Sequence, residues 1–441
     1  MNVTRTLIVG LGVTGLSVAR YLTRNNIAFD VADQKSVLDS ALIEREPAIA
    51  SARYYGGGWN AELLCGYSQV IVSPGISVRS DEFVQARDSG VEVIGDVELF
   101  ARAATRPVLA VTGSNGKSTV VSMVGELLRA ANLRVAVVGN VGVACLDGLA
   151  DDQVDAYVLE LSSFQLETTT SLQPLSAVVL NVCEDHLDRY DGMDDYAAVK
   201  RSIYNGAANV VFNADDARTA PESTDHNAVT FSMCESSGDW LVSEQSLCGP
   251  QVSVSTSALN VPGGHNRANA LAAMALASSI VDTVNTDYSE VFTNGLSAFN
   301  GLPHRAELVC IHNDVRWYND SKGTNVGACV SAIEGMDCPV VLIAGGRGKQ
   351  ADYSPMKAVV GAKCRAVVLI GEEATNIAAA LQSIVPVYFE DTMHDAVHKA
   401  REIALSGDCV LLSPACSSFD MFENFEVRGV VFSEEVRKLC A

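Results

Sequence analysis

The stretch Val108–Val120 constrains this chain more than any other. An apolar run, Val108-Leu109-Ala110-Val111, stops at Thr112, and Gly113-Ser114-Asn115-Gly116 form a turn. Lys117-Ser118-Thr119 then open a helical pattern that continues from Val120 to Ala131. A strand, a glycine turn and a helix N-terminus in succession make a phosphate cradle. Turn amides and the helix dipole face the anion, Lys117 adds charge, and Ser118 or Thr119 offers a hydroxyl to Mg²⁺. The spacing is the short Gly-x-x-Gly-Lys-Ser form, because Val111 stands where the longer motif has its first glycine. An ordinary strand-to-helix turn is the plain alternative. The reading is an α/β chain with an ATP or GTP site.

At 441 residues and 48% apolar composition, the chain is too long for one core and apolar enough for several. A formal net charge of −22 argues against a chain built to grip nucleic acid or anionic membrane. Any anionic substrate must then be met by local basic residues. The 12 cysteines are scattered without paired spacing, which reads as reduced thiols rather than disulfides or a zinc site. The first residues, MNVTRTLIVG, enter a strand directly and carry no signal-peptide pattern. The longest apolar helical block, Ala268–Val281, is too short and too interrupted to span a bilayer. The expectation is a cytoplasmic monomer acting on small molecules.

Taken in order, residues 3–9 read as a strand, and Gly10, Gly12 and Gly15 follow as G-x-G-x-x-G. A helix (Leu16–Asn25) and a second strand (Ala28–Ala32) lead to Asp33. This is formally a dinucleotide-binding fingerprint, so an NAD-dependent dehydrogenase is a rival for the segment. SPGI (Ser73–Ile76) and VEVIGDVEL (Val91–Leu99) close the region before the phosphate loop, too early for a complete dehydrogenase. A diphosphate-sugar nucleotide would use the same turn. In the middle region Glu160 ends the strand Asp155–Leu161, where a carboxylate can reach Mg²⁺ or be merely solvated. The strand Ser176–Asn181 leads into Glu184, Asp185, His186 and Asp188, which make His186 a candidate ligand. On the next helix Lys200 by itself reads as a solvated lysine. Asn266 and Asn269 lie one turn apart on the helix His265–Ala277, able to read an adenine edge or to serve as cap and core groups. After GLPHR the pattern restarts, with strands at Pro339–Ala344, Ala366–Ile370, Val385–Phe389 and Cys409–Leu412. The boundaries are 1–95, 96–301 and 302–441.

Together TGSNGKST, LELSSFQLE, NVCEDHLDRY, GGHNRANALAA, GLPHR, NDSKGTN, AGGRGK and SPACSSFDMFENFEVRG resemble the Mur ligases of peptidoglycan synthesis, in the family's order and over the whole length. GLGVTGLS, SPGI, IGDVELF and SPACSSFDMF favour the D-glutamate-adding branch. The resemblance implies a Rossmann-like N-terminal domain that binds a UDP-linked substrate, a central P-loop ATPase domain with a mainly parallel sheet, and a Rossmann-like C-terminal domain that binds the amino acid. It implies that ATP phosphorylates the L-alanyl carboxylate of UDP-N-acetylmuramoyl-L-alanine. The amine of D-glutamate then attacks, and a tetrahedral intermediate expels phosphate.

On that resemblance Gly113, Ser114, Asn115, Gly116, Lys117, Ser118 and Thr119 hold the ATP phosphates, with Lys117 catalytic. Asn266, Asn269, Arg305 and Asp320 match positions around adenine, ribose and phosphate. Two Mg²⁺ ions are implied, one at Ser118 and Glu160, the other at His186 and a carbamylated Lys200. Val13, Thr14, Asp33, Gln34, Lys35, Ser73, Gly75 and Asn140 match UDP-substrate contacts, and Thr324, Lys349, Ser418 and Phe425 the D-glutamate pocket. Two places depart from the pattern: Arg347 adds charge beside the amino-acid pocket, and Gln34-Lys35 replaces an expected Thr-Arg. A folylpolyglutamate synthase is a rival within the superfamily, with no use for the GLGVTG segment.

Overall fold

The structure is a computed structural model that describes residues 5–222, 227–234, 238–250, 252–261, 263–281, 288–348 and 351–440. Three sheets follow one another along the chain. The first joins β1 (Thr6–Val9), β2 (Phe29–Asp33), β3 (Tyr54–Gly56), β4 (Gln69–Val72) and β5 (Glu92–Ile94) in the order β3-β2-β1-β4-β5. All its pairings are parallel. The order reverses at β1, so the Gly10–Gly12 turn and the Ser73–Ile76 loop lie side by side. Ser73 Oγ donates to the Gly10 carbonyl at 2.8 Å. Gly15 sits in the first turn of the helix Val13–Arg24, where a Cβ would lie 2.0 Å from the Gly10 oxygen. That close approach explains the third glycine of the turn.

The second sheet contains β6 (Val108–Thr112), β7 (Val135–Gly139), β8 (Ala156–Glu160), β9 (Ser176–Val179), β10 (Asn209–Asn213), β11 (Asn227–Ser232), β12 (Trp240–Ser243), β13 (Ser246–Gly249) and β14 (Val252–Ser255). Its order is β14-β13-β12-β11-β10-β9-β6-β8-β7, parallel from β7 to β12, with β13 and β14 an antiparallel extension. Continuous apolar strands such as β6 are buried because helices cover both faces. The helix Gly264–Val281 packs against the helix Lys117–Ala130 and the sheet together, and is buried nearly all round. That double contact accounts for its lack of a polar face.

The third sheet contains β15 (Glu307–His312), β16 (Val315–Asn319), β17 (Val340–Gly345), β18 (Cys364–Ile370), β19 (Val387–Phe389) and β20 (Cys409–Leu412), ordered β15-β16-β20-β17-β18-β19. It is parallel except for the β15–β16 hairpin. One expectation is corrected here. Cys310 and Cys440 are joined as a disulfide, while the other ten cysteines are free. The two lie 130 residues apart and meet only because the helix Phe425–Cys440 packs along β15, a pairing that spacing does not reveal. Among the described residues no helix is long and apolar enough to cross a membrane.

Candidate active site

The phosphate loop is built at the carboxyl end of β6, between the ends of β8 and β9. Gly116 has a φ of +85° and caps the helix Lys117–Ala130. A side chain there would put its Cβ 2.5 Å from Asn269 Oδ1, so both conformation and space require glycine. Lys117 Nζ donates to the carbonyls of Gly113 (2.7 Å) and Ser114 (2.9 Å). Burial holds its pKa below the ordinary lysine value, against the pull of Glu160 and Asp185.

Lys117 borders a cavity of about 180 Å³ together with Asn140, Glu160, His186, Lys200 and Thr324. Asn140 Nδ2 donates to Glu160 Oε1 at 3.0 Å, while Glu160 Oε2 is buried and has no hydrogen-bond partner. Lys200, read from sequence alone as a solvated lysine, is 1% exposed. Its Nζ donates to the Gly113 carbonyl at 3.0 Å and lies 4.4 Å from the centre of the Tyr196 ring. Burial first, and the charge of Lys117 second, drive its pKa well below the ordinary value. His186 adopts a φ of +55° in the loop after β9, with its ring edge-on to Phe164 at 4.8 Å. A non-glycine residue held in that region marks a loop whose surroundings dictate its shape.

A second cavity, of about 290 Å³, opens on the other side of the loop, and it is bordered by Thr119, Asn266, Asn269, Arg305 and Asp320. The two cavities share Asn115, Gly116, Arg305 and Lys322. Arg305 Nη2 donates to Ser118 Oγ at 2.9 Å. Asp320 accepts from Ser413 Oγ at 2.7 Å and from the Ala306 amide at 3.2 Å, and burial raises its pKa to about 6. Asn266 and Asn269 face each other at 3.4 Å.

The remaining candidates are distributed as follows. Val13, Thr14, Asp33, Gln34, Lys35, Ser73 and Gly75 surround the carboxyl edge of the first sheet. Asp33 accepts from the Leu11 amide (2.6 Å) and the Lys35 amide (2.9 Å), and Val13 is 74% exposed. Asn140 stands apart from this group, on Glu160. Ser418 is buried and does not border the cavity, whereas Phe425 approaches it through Lys322, whose Nζ lies 3.7 Å above its ring. Lys349 lies outside the described residues. Arg347 pairs with Glu372 at 3.1 Å on the surface.

Two residues had no role assigned from the sequence: Lys322, which the loop Tyr318–Asn325 offers beside Asp320 and Thr324, and Asn325. Burial lowers the Lys322 pKa to about 8, and Lys322 borders both cavities. Asn325 caps the helix Val326–Glu334 through the Ala328 amide and exchanges side-chain hydrogen bonds with Asn115 at 3.1 and 3.2 Å. A basic residue inside NDSKGTN was the available signal for Lys322. For Asn325 the helix-capping pattern was visible, but not its partner on the phosphate loop.

A three-sheet α/β protein with a buried lysine, a histidine and a carboxylate around its phosphate loop is built to use a nucleotide. The sequence comparisons agree with the geometry. Residues 4–95 match the Mur ligase MurD-like N-terminal domain, residues 111–277 the Mur ligase middle domain, and residues 304–416 the Mur ligase glutamate ligase domain. A UDP-N-acetylmuramoylalanine–D-glutamate ligase of Nitrosococcus oceani is 43% identical over 99% of this chain and 97% of its own length. The ligase of the same name from Pseudomonas aeruginosa is 44% identical over 98% of each. Among solved structures, a UDP-N-acetylmuramate–alanine ligase from Thermotoga maritima superposes with a TM-score of 0.60 at 19% identity, covering 99% of both chains. A Mycobacterium tuberculosis folylpolyglutamate synthase complexed with ADP gives 0.58 at 15% identity over 76% of this chain and 92% of its own. These two share the fold. The chain belongs to the Mur ligase family and is an ATP-dependent ligase.

Proposed function

We propose that this ligase joins D-glutamate to UDP-N-acetylmuramoyl-L-alanine, with the acceptor on the first sheet, ATP on the second and the amino acid on the third. The division at 95/96 and 301/302 is part of the same reading. The observation that carries it is the cavity in which Lys117, Lys200, His186 and the free oxygen of Glu160 converge beside the phosphate loop. An acyl transfer driven by ATP needs such convergence, because a carboxylate must approach a triphosphate against charge repulsion.

Lys117 and Arg305 neutralise the phosphates, while Asn266 and Asn269 orient the adenine and Asp320 the ribose. The acceptor carboxylate attacks the γ-phosphorus, and ADP leaves. The α-amine of D-glutamate then adds to the acyl carbon, loses a proton, and the tetrahedral adduct expels phosphate. Asn140 positions the acceptor, and Thr324, Lys349, Ser418 and Phe425 hold the amino acid.

The residues present fit divalent cations. A buried carboxylate oxygen without a partner is costly unless something binds it, and Glu160 Oε2 is one. Ser118 and Glu160 would hold one Mg²⁺, and His186 with a carbamate on Lys200 a second. Among the described residues no three His, Cys, Asp or Glu side chains converge as a ready-made metal cluster. Further oxygens would then come from the substrates, as Mg²⁺ prefers. Bound there, Mg²⁺ supplies positive charge that offsets repulsion between phosphate and carboxylate.

Amino-acid choice tests this reading. A pocket that pairs both carboxylates of D-glutamate leaves a cation unmatched when D-glutamine enters, at a cost of about 2–5 kcal/mol. Phosphate release with the UDP-linked acceptor is expected with D-glutamate and at least tenfold slower with D-glutamine or L-glutamate. Equal rates with D- and L-glutamate would overturn the assignment.

A further inference from the structure

Away from the nucleotide, four charged side chains join the first sheet's acceptor loop to the elements that carry the catalytic groups. Arg79 follows the Ser73–Ile76 loop. Its Nε donates to Glu167 Oε1 at 2.7 Å, and its Nη1 and Nη2 grip both oxygens of Asp195 at 2.5 and 3.1 Å. Glu167 ends the short helix Ser163–Leu166 that follows Glu160, and Asp195 lies in the first turn of the helix Met193–Arg201 that carries Lys200. The second oxygen of Glu167 accepts from Arg189 Nη2 at 2.5 Å. Arg189 reaches back to the first sheet's loop, donating to the carbonyls of Pro74 (3.0 Å) and Ile76 (3.2 Å). It also lies over the Phe164 ring at 4.0 Å, and that ring meets His186. Glu167 is nearly buried, so its carboxylate is committed to the two guanidinium groups. Asp195 Oδ2 further accepts the Asp191 amide at 3.0 Å, which ties the end of the histidine loop into the same cluster. Exposed Asp191 is the other carboxylate near Arg79, at 3.9 Å.

Resting on the ligase reading above, we propose that Arg79 is a positioning residue that holds the acceptor-binding loop in register with the helix of Lys200 and the loop of His186. Arg79 itself borders neither cavity. Its planar fork fixes Glu167 and Asp195 relative to each other in a way that a point charge does not. Losing it leaves Glu167 to Arg189 alone and Asp195 to the Asp191 amide, so the acceptor loop and the catalytic helix lose their direct link. A misplacement of about 1 Å far from the chemistry can cost on the order of 100-fold in rate.

The experiment compares wild type with Arg79→Ala, Arg79→Lys, Asp195→Ala and the Arg79→Ala/Asp195→Ala double variant. Arg79→Ala is expected to raise the acceptor KM and lower kcat by tenfold or more each, with the ATP KM within twofold of wild type. Arg79→Lys should recover only part of the loss, and the double variant should be no worse than Arg79→Ala, since the two act as one unit. Equal shifts in both KM values, additive losses in the double variant, or a lowered Tm with unchanged kinetics would each overturn the proposal. Hydrogen exchange of the free protein supplies a readout independent of the reaction. Residues 73–78 and 183–192 should lose protection together in Arg79→Ala, and unchanged protection in either segment would overturn the coupling. Failure of the wild type to use D-glutamate would instead overturn the ligase reading, with the exchange result still deciding the coupling.

Discussion

Lys117→Ala is expected to abolish nearly all turnover. The ammonium is fixed by two loop carbonyls and desolvated by burial, so a phosphate docked on the loop would meet a charge already in place. Removing such a charge from a transferred phosphoryl group costs on the order of 3 kcal/mol or more, about 100-fold in rate. The loss should fall on kcat as well as on ATP affinity, because charge develops on the phosphoryl oxygens during transfer. Steady-state rates with saturating ATP provide the check. Turnover within tenfold of wild type would exclude this loop as the catalytic one.

Lys200→Ala is expected to be equally damaging, for a different reason. An ammonium at this position would repel Lys117 and any bound cation, whereas a carbamate supplies oxygens and reverses the local charge. Carbamylation requires the neutral amine, whose nitrogen attacks CO₂ while a proton leaves to solvent. Ordinary lysine titrates near 10.4, but here burial and Lys117 move the equilibrium toward the neutral form. With the proposed carbamate, falling pH protonates the amine and releases CO₂, so activity at limiting CO₂ should rise with pH. Lys200→Ala should lose at least 100-fold, the scale expected when charge stabilisation is removed, and regain part of it with added acetate. Lys200→Arg, which keeps the positive charge, should not be rescued. Near-normal turnover of the arginine variant, or an unmodified lysine in active crystals, would contradict this role.

Much of the fold was legible because its signals are local. The turns after β1 and β6 announce themselves through glycine spacing and the apolar runs before them. Lys200 was not legible from its helix alone. Its burial comes from the approach of Gly113 and Tyr196, one of them 87 residues away in sequence. The same holds for Asn325, whose partner Asn115 is 210 residues distant. The antiparallel pieces β13–β14 and β15–β16 were missed because they add to sheets whose main pattern is parallel. The alternation in Val252–Ser255, buried at its valines and exposed at its serines, was the overlooked signal. Arg347 has a partner in Glu372 that sequence spacing does not reveal, because the packed third sheet brings the two together.

The most direct measurement labels the L-alanyl carboxylate of the UDP-linked acceptor with ¹⁸O and follows the label during turnover with ATP and D-glutamate. Attack of that carboxylate on the γ-phosphorus, followed by loss of phosphate from the tetrahedral adduct, transfers one labelled oxygen per amide into inorganic phosphate. Labelled phosphate is expected in step with the D-glutamyl product. Unlabelled phosphate, or label emerging in AMP, would contradict it.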